Sequence, residues 1–266
     1  MKTIAFSIAL LAALALPGAA RAQVHVVGDL SRHVELAPGA ESQGEVLVRN
    51  GGDRPQTARV YLTGYHATAD GRTVYGEPGE SPRSSAAWIH LVPREQEIAP
   101  GCTASFHYVI RVPQDPRLAG SYWSMLMVEP VAPETLAPGA TRGGVGIRTV
   151  TRTGIHLATH IAGTGHAELK FADRRLEQGE KGAALLLDLE NAGDRYLRLH
   201  LWADLFDREG IPAGRFEGGR KGLYPADSGR VRIDLDGIAP GTYRAIVVAD
   251  GGDERVFGAR YELEIR

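Results

Sequence analysis

Nine histidines invite a test for metal chemistry, because neutral imidazole is a common metal ligand. His156-x-x-x-His160 has the spacing that places two ligands on one face of a helix. The surrounding segment, Gly146 to Ile161, reads as extended instead, and four residues at about 3.3 Å each would hold the two rings about 13 Å apart. His166 follows beyond a glycine-rich joint and no cysteine accompanies it, so no metal site is expected. Cys102 is the single cysteine, which excludes an intrachain disulfide, and beside Pro100-Gly101 it reads as a small turn residue. Ser81, Ser84 and Ser85 fall in a Pro/Gly-rich loop without a G-x-S-x-G elbow. Asp234 and Asp236 alternate towards solvent along a strand or its turn. The runs Asp204 to Glu209 and Asp250 to Glu254 offer oxygen ligands but not a full Ca²⁺ loop, and they read as hairpin turns. No Gly-rich loop opens a helix to cradle phosphate. The expectation is a chain without a catalytic set and without a cofactor.

Aromatic residues offer a different chemistry. Trp88, Trp123 and Trp202, with Tyr61, Tyr65 and Tyr75, have the character of a carbohydrate or peptide groove, yet the three Trp sit inside strand-like runs and are expected in the core. The long polar loop Asp70 to Ser85 is the better candidate for exposed binding, since loops carried on rigid scaffolds often bind. With Lys+Arg 30 against Asp+Glu 32 the formal charge is -2, so no basic excess exists to hold nucleic acid.

The elements that must position these residues are strands. The 266 residues are 43% hydrophobic and 23% charged, ordinary for a globular protein. Residues 1–22 differ: Lys2, an uncharged apolar run from Ile4 to Leu16, then Pro17-Gly18 and Ala20-Arg21-Ala22 have the layout of a cleaved secretory signal peptide. Thirteen apolar residues are too few to span a bilayer core of about 30 Å at about 1.5 Å per residue. Beyond Gln23, short alternating or β-branched runs end at Gly, Pro, Asn or Asp, with almost no helical periodicity. In Ala104 to Val112 one face reads Phe106, Tyr108, Ile110 and the other His107, Val109, Arg111. Ser121 to Val131 is apolar on both faces and predicts a central strand, and residues 132–145 predict a long loop.

The two halves share landmarks. Val46 to Asn50 with Gly51-Gly52-Asp53 matches Leu187 to Asn191 with Ala192-Gly193-Asp194, and Ile98-Ala-Pro-Gly101 is matched to Ile238-Ala-Pro-Gly241. The expected fold is all-β, with two immunoglobulin-like β-sandwich domains in tandem after the signal peptide, at 23–163 and 164–266. The hinge is placed at Ala162-Gly163-Thr164-Gly165.

The residues Leu36-Ala-Pro-Gly39, Val46 to Gly51, Trp88 to Pro93, Val109 to Pro113 and Leu118 to Trp123 carry a family resemblance. The first half resembles the immunoglobulin-like extracytoplasmic domains of pilus-assembly chaperones and of cell-surface proteins that interact with WxL proteins. Two features differ: the chain ends at Arg266 without the membrane helix and basic tail usual in the WxL-interacting proteins, and Gly146 to Gly154 is too polar for a good donor strand. The chaperone resemblance implies basic residues in the interdomain cleft that hold a client's terminal carboxylate. Arg148 and Arg152 in the last strand of the first domain, and Arg32 in its first strand, are the nearest matches. Their alternative role is as solvent-exposed edge charges that discourage strand pairing.

These readings point to a non-catalytic, exported protein of the bacterial envelope, periplasmic or secreted, that binds another envelope or secreted protein. A chaperone-like or assembly-accessory role fits best. A structural or adhesive surface module is the alternative, and an enzyme with a dispersed site comes third.

Overall fold

The computed structural model describes residues 24–131, 150–179, 182–252 and 255–266; the expected signal peptide, the loop at 132–145 and Arg148 lie outside them. The first sandwich is built from β1 (Val24–Val27), β2 (Ser31–Leu36), β3 (Glu41–Asn50), β4 (Gln56–Thr63), the short hairpin β5 (His66–Ala67) and β6 (Thr73–Val74), β7 (Ile89–Val92), β8 (Glu95–Ile98), β9 (Thr103–Arg111), β10 (Ser121–Pro130) and β11 (Thr153–Ile161). A 3-10 turn, Ala86–Trp88, leads into β7. One sheet has the order β1-β3-β9-β7 and the facing one β2-β11-β10-β4-β8. The amino-terminal strand therefore changes sheets: β1 pairs antiparallel with β3, then β2 pairs parallel with β11. As its two apolar faces predict, β10 is flanked by strands on both sides.

The second sandwich contains β12 (Leu169–Gly179), β13 (Gly182–Asn191), β14 (Leu197–Phe206), β15 (Pro212–Leu223), β16 (Ser228–Asp234), β17 (Gly241–Asp250) and β18 (Val256–Ile265). Its sheets are β12-β13-β16 and β15-β14-β17-β18. Alternation does the sorting on every strand, because successive side chains leave opposite faces. On β14, Leu197, Leu199, Leu201, Ala203 and Leu205 are buried while Arg198, His200, Trp202 and Asp204 point outward. The chain is thus all-β, two immunoglobulin-like sandwiches in tandem, each around its own core. Val46, Phe106, Leu126, Ile155 and Leu157 centre the first core; Leu185, Leu187, Leu199, Leu201 and Leu205 centre the second.

The two sandwiches repeat one local device. Asn50 is fully buried and its Nδ2 donates to the carbonyls of Arg54 (2.7 Å) and Ile98 (2.9 Å), while its Oδ1 accepts from the Gly52 N–H (2.9 Å). Asn191 does the same with Arg195 (2.8 Å), Leu223 (3.0 Å) and Gly193 (3.1 Å). Their backbone N–H groups donate to Cys102 and Asp227 respectively, both at 3.0 Å. The match between Val46–Asn50 and Leu187–Asn191 is therefore structural. The counterpart of Ile98-Ala-Pro-Gly101 is a correction, however: it is Leu223-Tyr-Pro-Ala226, not Ile238 to Gly241. Gly101 and Ala226 both take positive φ, 68° and 63°. The surface letters Ile-Ala-Pro-Gly matched the wrong turn because Ala226 hides the left-handed position that glycine advertises.

Candidate functional site

The sandwiches meet along a seam with a small apolar cluster of its own: Trp123, Ala158 and Tyr224, flanked by Tyr65 and Tyr196. Trp123 stacks on Tyr224 with ring centroids 4.7 Å apart, and its indole N–H donates to the Tyr65 carbonyl at 2.9 Å. Only Trp88 of the three tryptophans is in a sandwich core; Trp123 is in the seam and Trp202 is half-buried on an outer face. The expected core role holds for one of them.

Backbone contacts fasten the seam. The Ser121 N–H donates to the Asp194 carbonyl (2.8 Å), and the Tyr196 N–H donates to Ser121 Oγ (2.8 Å). Gly120, at φ 76°, lets these chains touch, since a Cβ there would collide with the Asp194 carbonyl. On the other side the N–H groups of Ala67 and Ala69 donate to Asp227 Oδ1 (3.1 Å) and Ser228 Oγ (2.9 Å). His66 Nδ1 lies 2.6 Å from the same Asp227 oxygen. Burial of the Asp227 carboxyl raises its pKa above the usual carboxylate range. The base of the predicted binding loop thus anchors the domains to one another.

Above the seam opens a cleft of about 1360 Å³. On the first-domain wall, His156 and His160 share the outer face of β11, and His33 on β2 pairs in register with Ala158 between them. A hydrogen-bonded chain runs from Ser31 Oγ to His33 Nε2 (2.9 Å), from His33 Nδ1 to His160 Nε2 (3.0 Å), and from His160 Nδ1 to Ser121 Oγ (2.8 Å). Burial lowers the pKa of all three imidazoles, with His160 brought down to about 4; His33 and Arg195 add to that effect and Glu35 opposes it. These three imidazoles are accordingly neutral at pH 7, and a single proton occupies the His33–His160 bond.

The second-domain wall carries charge of both signs, the carboxylates Asp227 and Asp250 among arginines, and Asp29 lines the side opposite. Arg195, Arg198 and Arg220 line the cleft with Tyr196 and Tyr224. Arg195 donates to the Thr164 carbonyl (2.6 Å) and faces Glu35 (3.9 Å). The guanidinium groups of Arg198 and Arg220 are not hydrogen-bonded or ion-paired to any described residue. Among the described residues no group of three or more His, Cys, Asp or Glu is placed to hold a metal. Unpaired guanidinium groups opposite neutral imidazole donors and acceptors suit an anionic, planar group such as a carboxylate.

Two of the three arginines expected from sequence, Arg32 and Arg152, do not line this cleft. Arg152 is ion-paired with Glu129 (2.7 Å), near the end of β10 remote from Ser121. Arg32 alternates with the cleft residues Ser31 and His33 and so turns to the opposite side, near Tyr108, where its Nε is buried without a hydrogen-bond partner. Arg148 lies outside the described residues. The cleft is furnished instead by His33, His156, His160, Arg198 and Arg220. The spacing of His156 and His160 was a readable signal for a shared strand face; the approach of His33, 127 residues from His160, was not.

No protein-family model matches the chain. No curated protein matches it. Among solved structures the chain is similar to a Class 5 fimbriae chaperone, CfaA, with 10% identity, TM-score 0.48, and 90% of this chain and 98% of that one covered. It is similar also to the E. coli chaperone DraB (14% identity, TM-score 0.42, 91% and 97% covered) and to a Pseudomonas aeruginosa chaperone, CupB2 (13% identity, TM-score 0.40, 91% and 100% covered). These are chaperones of the kind the first half resembles in sequence, and the likeness is one of fold.

Proposed function

We propose that the protein is a non-catalytic, chaperone-like binding protein of the bacterial envelope, working outside the cytoplasm, that holds another envelope or secreted protein through an anionic group seated in the interdomain cleft. The observation that carries this reading is the pair Arg198 and Arg220, whose guanidinium groups have no partner among the described residues, on a wall that a hydrogen-bonded seam holds opposite neutral His33, His156 and His160. Two unsatisfied guanidinium groups on a rigid frame are preorganised for a carboxylate, either a chain terminus or an acidic side chain. The described residues include no helix long and apolar enough to cross a membrane.

The test is capture of partners by the tagged protein from envelope extract after mild cross-linking, with an Arg198→Ala/Arg220→Ala variant and an Arg152→Ala variant alongside. The reading expects a partner retained by the wild type and by Arg152→Ala and lost from the double variant. Equal capture by all three removes the cleft from the binding site and favours a structural or adhesive surface module.

A further inference from the structure

The cleft borders the outer face of the second sandwich, where His200, ion-paired with Glu217 at 2.9 Å, and its register partner Asp250 lie at the junction. On β14, Arg198 lies in the cleft, and His200 and Trp202 follow at two-residue intervals on the same face. Register extends that face sideways: His200 pairs with Asp250 and Trp202 with Val248 on β17, which pair in turn with Val256 and Gly258 on β18. Ile246 and Val256 are exposed there, at 39% and 63%, beside Val248 and the half-buried Trp202. Gly258 leaves the space opposite Val248 empty, so the ring of Trp202 and the Val248 side chain border a shallow apolar trough. Arg215, held by two hydrogen bonds to Asp204, rests over the Trp202 ring at 5.0 Å. The opposite face of the same sheet already packs the core, so Trp202 contributes nothing to that core. A Trp and an Arg in contact on an exposed face are the residue types that anchor protein interfaces.

Building on the cleft reading above, we propose that this trough is the second half of the partner site, and that the occupant is an extended peptide segment. Its acidic group sits at Arg198 and Arg220, and a large apolar or aromatic side chain four residues away covers Trp202. The ruler is β14 itself: four residues at about 3.3 Å separate the two anchors by about 13 Å, which an extended segment matches with the same four-residue spacing. The guanidinium groups at one end and the apolar surface at the other are complementary to that pattern, and the acids Glu217 and Asp204 on the same face are taken up by His200 and Arg215. Specificity for the partner then resides in the second domain.

The test uses fluorescein-labelled peptides in a Gly/Ser host and fluorescence anisotropy with the purified protein. One probe carries Phe and Asp four residues apart, made in both orders; controls replace Phe by Ala, replace Asp by Asn, or set Phe and Asp side by side. The expected result is about tenfold tighter binding of the four-spaced probe, in one order, than of the Phe-less control. That gain is lost in Trp202→Ala and in Gly258→Glu, which places a charge over the trough without removing any packing. The Asp contribution is lost in Arg198→Ala/Arg220→Ala. A Phe gain that survives both trough variants, or that ignores spacing, overturns the trough while leaving the cleft reading standing. An Asp contribution that survives the double Arg variant overturns the cleft reading, as does the absence of saturable binding by every probe up to about 1 mM. Concentration-dependent dimers that disappear in Trp202→Ala would assign the trough to a second copy of this chain and overturn the peptide.

Discussion

Replacing His160 by Gln should change how the stability of the protein responds to acid. In the folded chain burial takes His160 from the ordinary imidazole value of 6.5 down to about 4. The unfolded chain therefore binds a proton between those values that the native chain refuses, and stability contributed by the neutral imidazole is present above about pH 6.5 and lost as the pH falls towards 4. At about 1.4 kcal/mol per pH unit of displacement the full loss is about 3 kcal/mol, reduced to about 2 kcal/mol for the part of the ring that water reaches. The groups facing the ring fix this sign: His33 and Arg195 disfavour a second positive charge, and Glu35 opposes them weakly. His33 and His156 are lowered too and act in the same direction, whereas the raised Asp227 acts in the opposite one, gaining stability on acidification. The comparison of wild type with His160→Gln isolates one group from this sum, since Gln does not titrate. Urea unfolding followed by Trp fluorescence at pH 7, 6, 5 and 4 should show the variant gaining about 2 kcal/mol on wild type across the range. Parallel stability curves for the two proteins would refute the argument.

Other substitutions test the frame. Asn50→Ala and Asn191→Ala each strand one buried carbonyl together with a part-buried carbonyl and a part-buried backbone N–H, so each should lose about 2 to 3 kcal/mol in urea unfolding, by similar amounts. Ala226→Gly should raise stability by about 0.5 to 1 kcal/mol, because Ala226 holds φ 63°; unchanged or lower stability would contradict that. Gly120→Ala forces a Cβ against the Asp194 carbonyl from a left-handed backbone, so small-angle scattering should show the two sandwiches moving apart while each keeps its β-sheet circular dichroism signal.

The sandwiches were readable because burial on one face of a strand writes itself as alternation, as in Ala104 to Val112 and Leu197 to Phe206. β15 was not: Pro212 to Leu223 contains four glycines and no alternating apolar set, and it is a strand because β14 pairs with it through two irregularities. The cleft was legible in one respect only, the same-face spacing of His156 and His160. The charge of Arg32 is visible in the sequence, but strand parity decides direction, and the parity that puts Ser31 and His33 in the cleft turns Arg32 away. Arg152 is ion-paired with a carboxylate, Glu129, that no local pattern brings near it. Arg198 and Arg220 carry no local signal, because what distinguishes them is that no carboxylate among the described residues pairs with them, and that is a property of the assembled fold.

The change of sheets by the amino-terminal strand bears on the order in which the protein comes into being. β2 pairs with β11, so Ser31 waits for His156 and Leu36 for Ile161. The first sandwich cannot be closed during synthesis until residue 161 is available, although β3, β4 and β9 can already associate. Its strand β10 has an open edge throughout that interval, and exposed edges of nascent sheets are where chains misassociate. The second sandwich follows immediately, and Tyr224 and Asp227 complete the seam late. A truncation before Thr153 should therefore yield an aggregating fragment rather than a smaller folded domain.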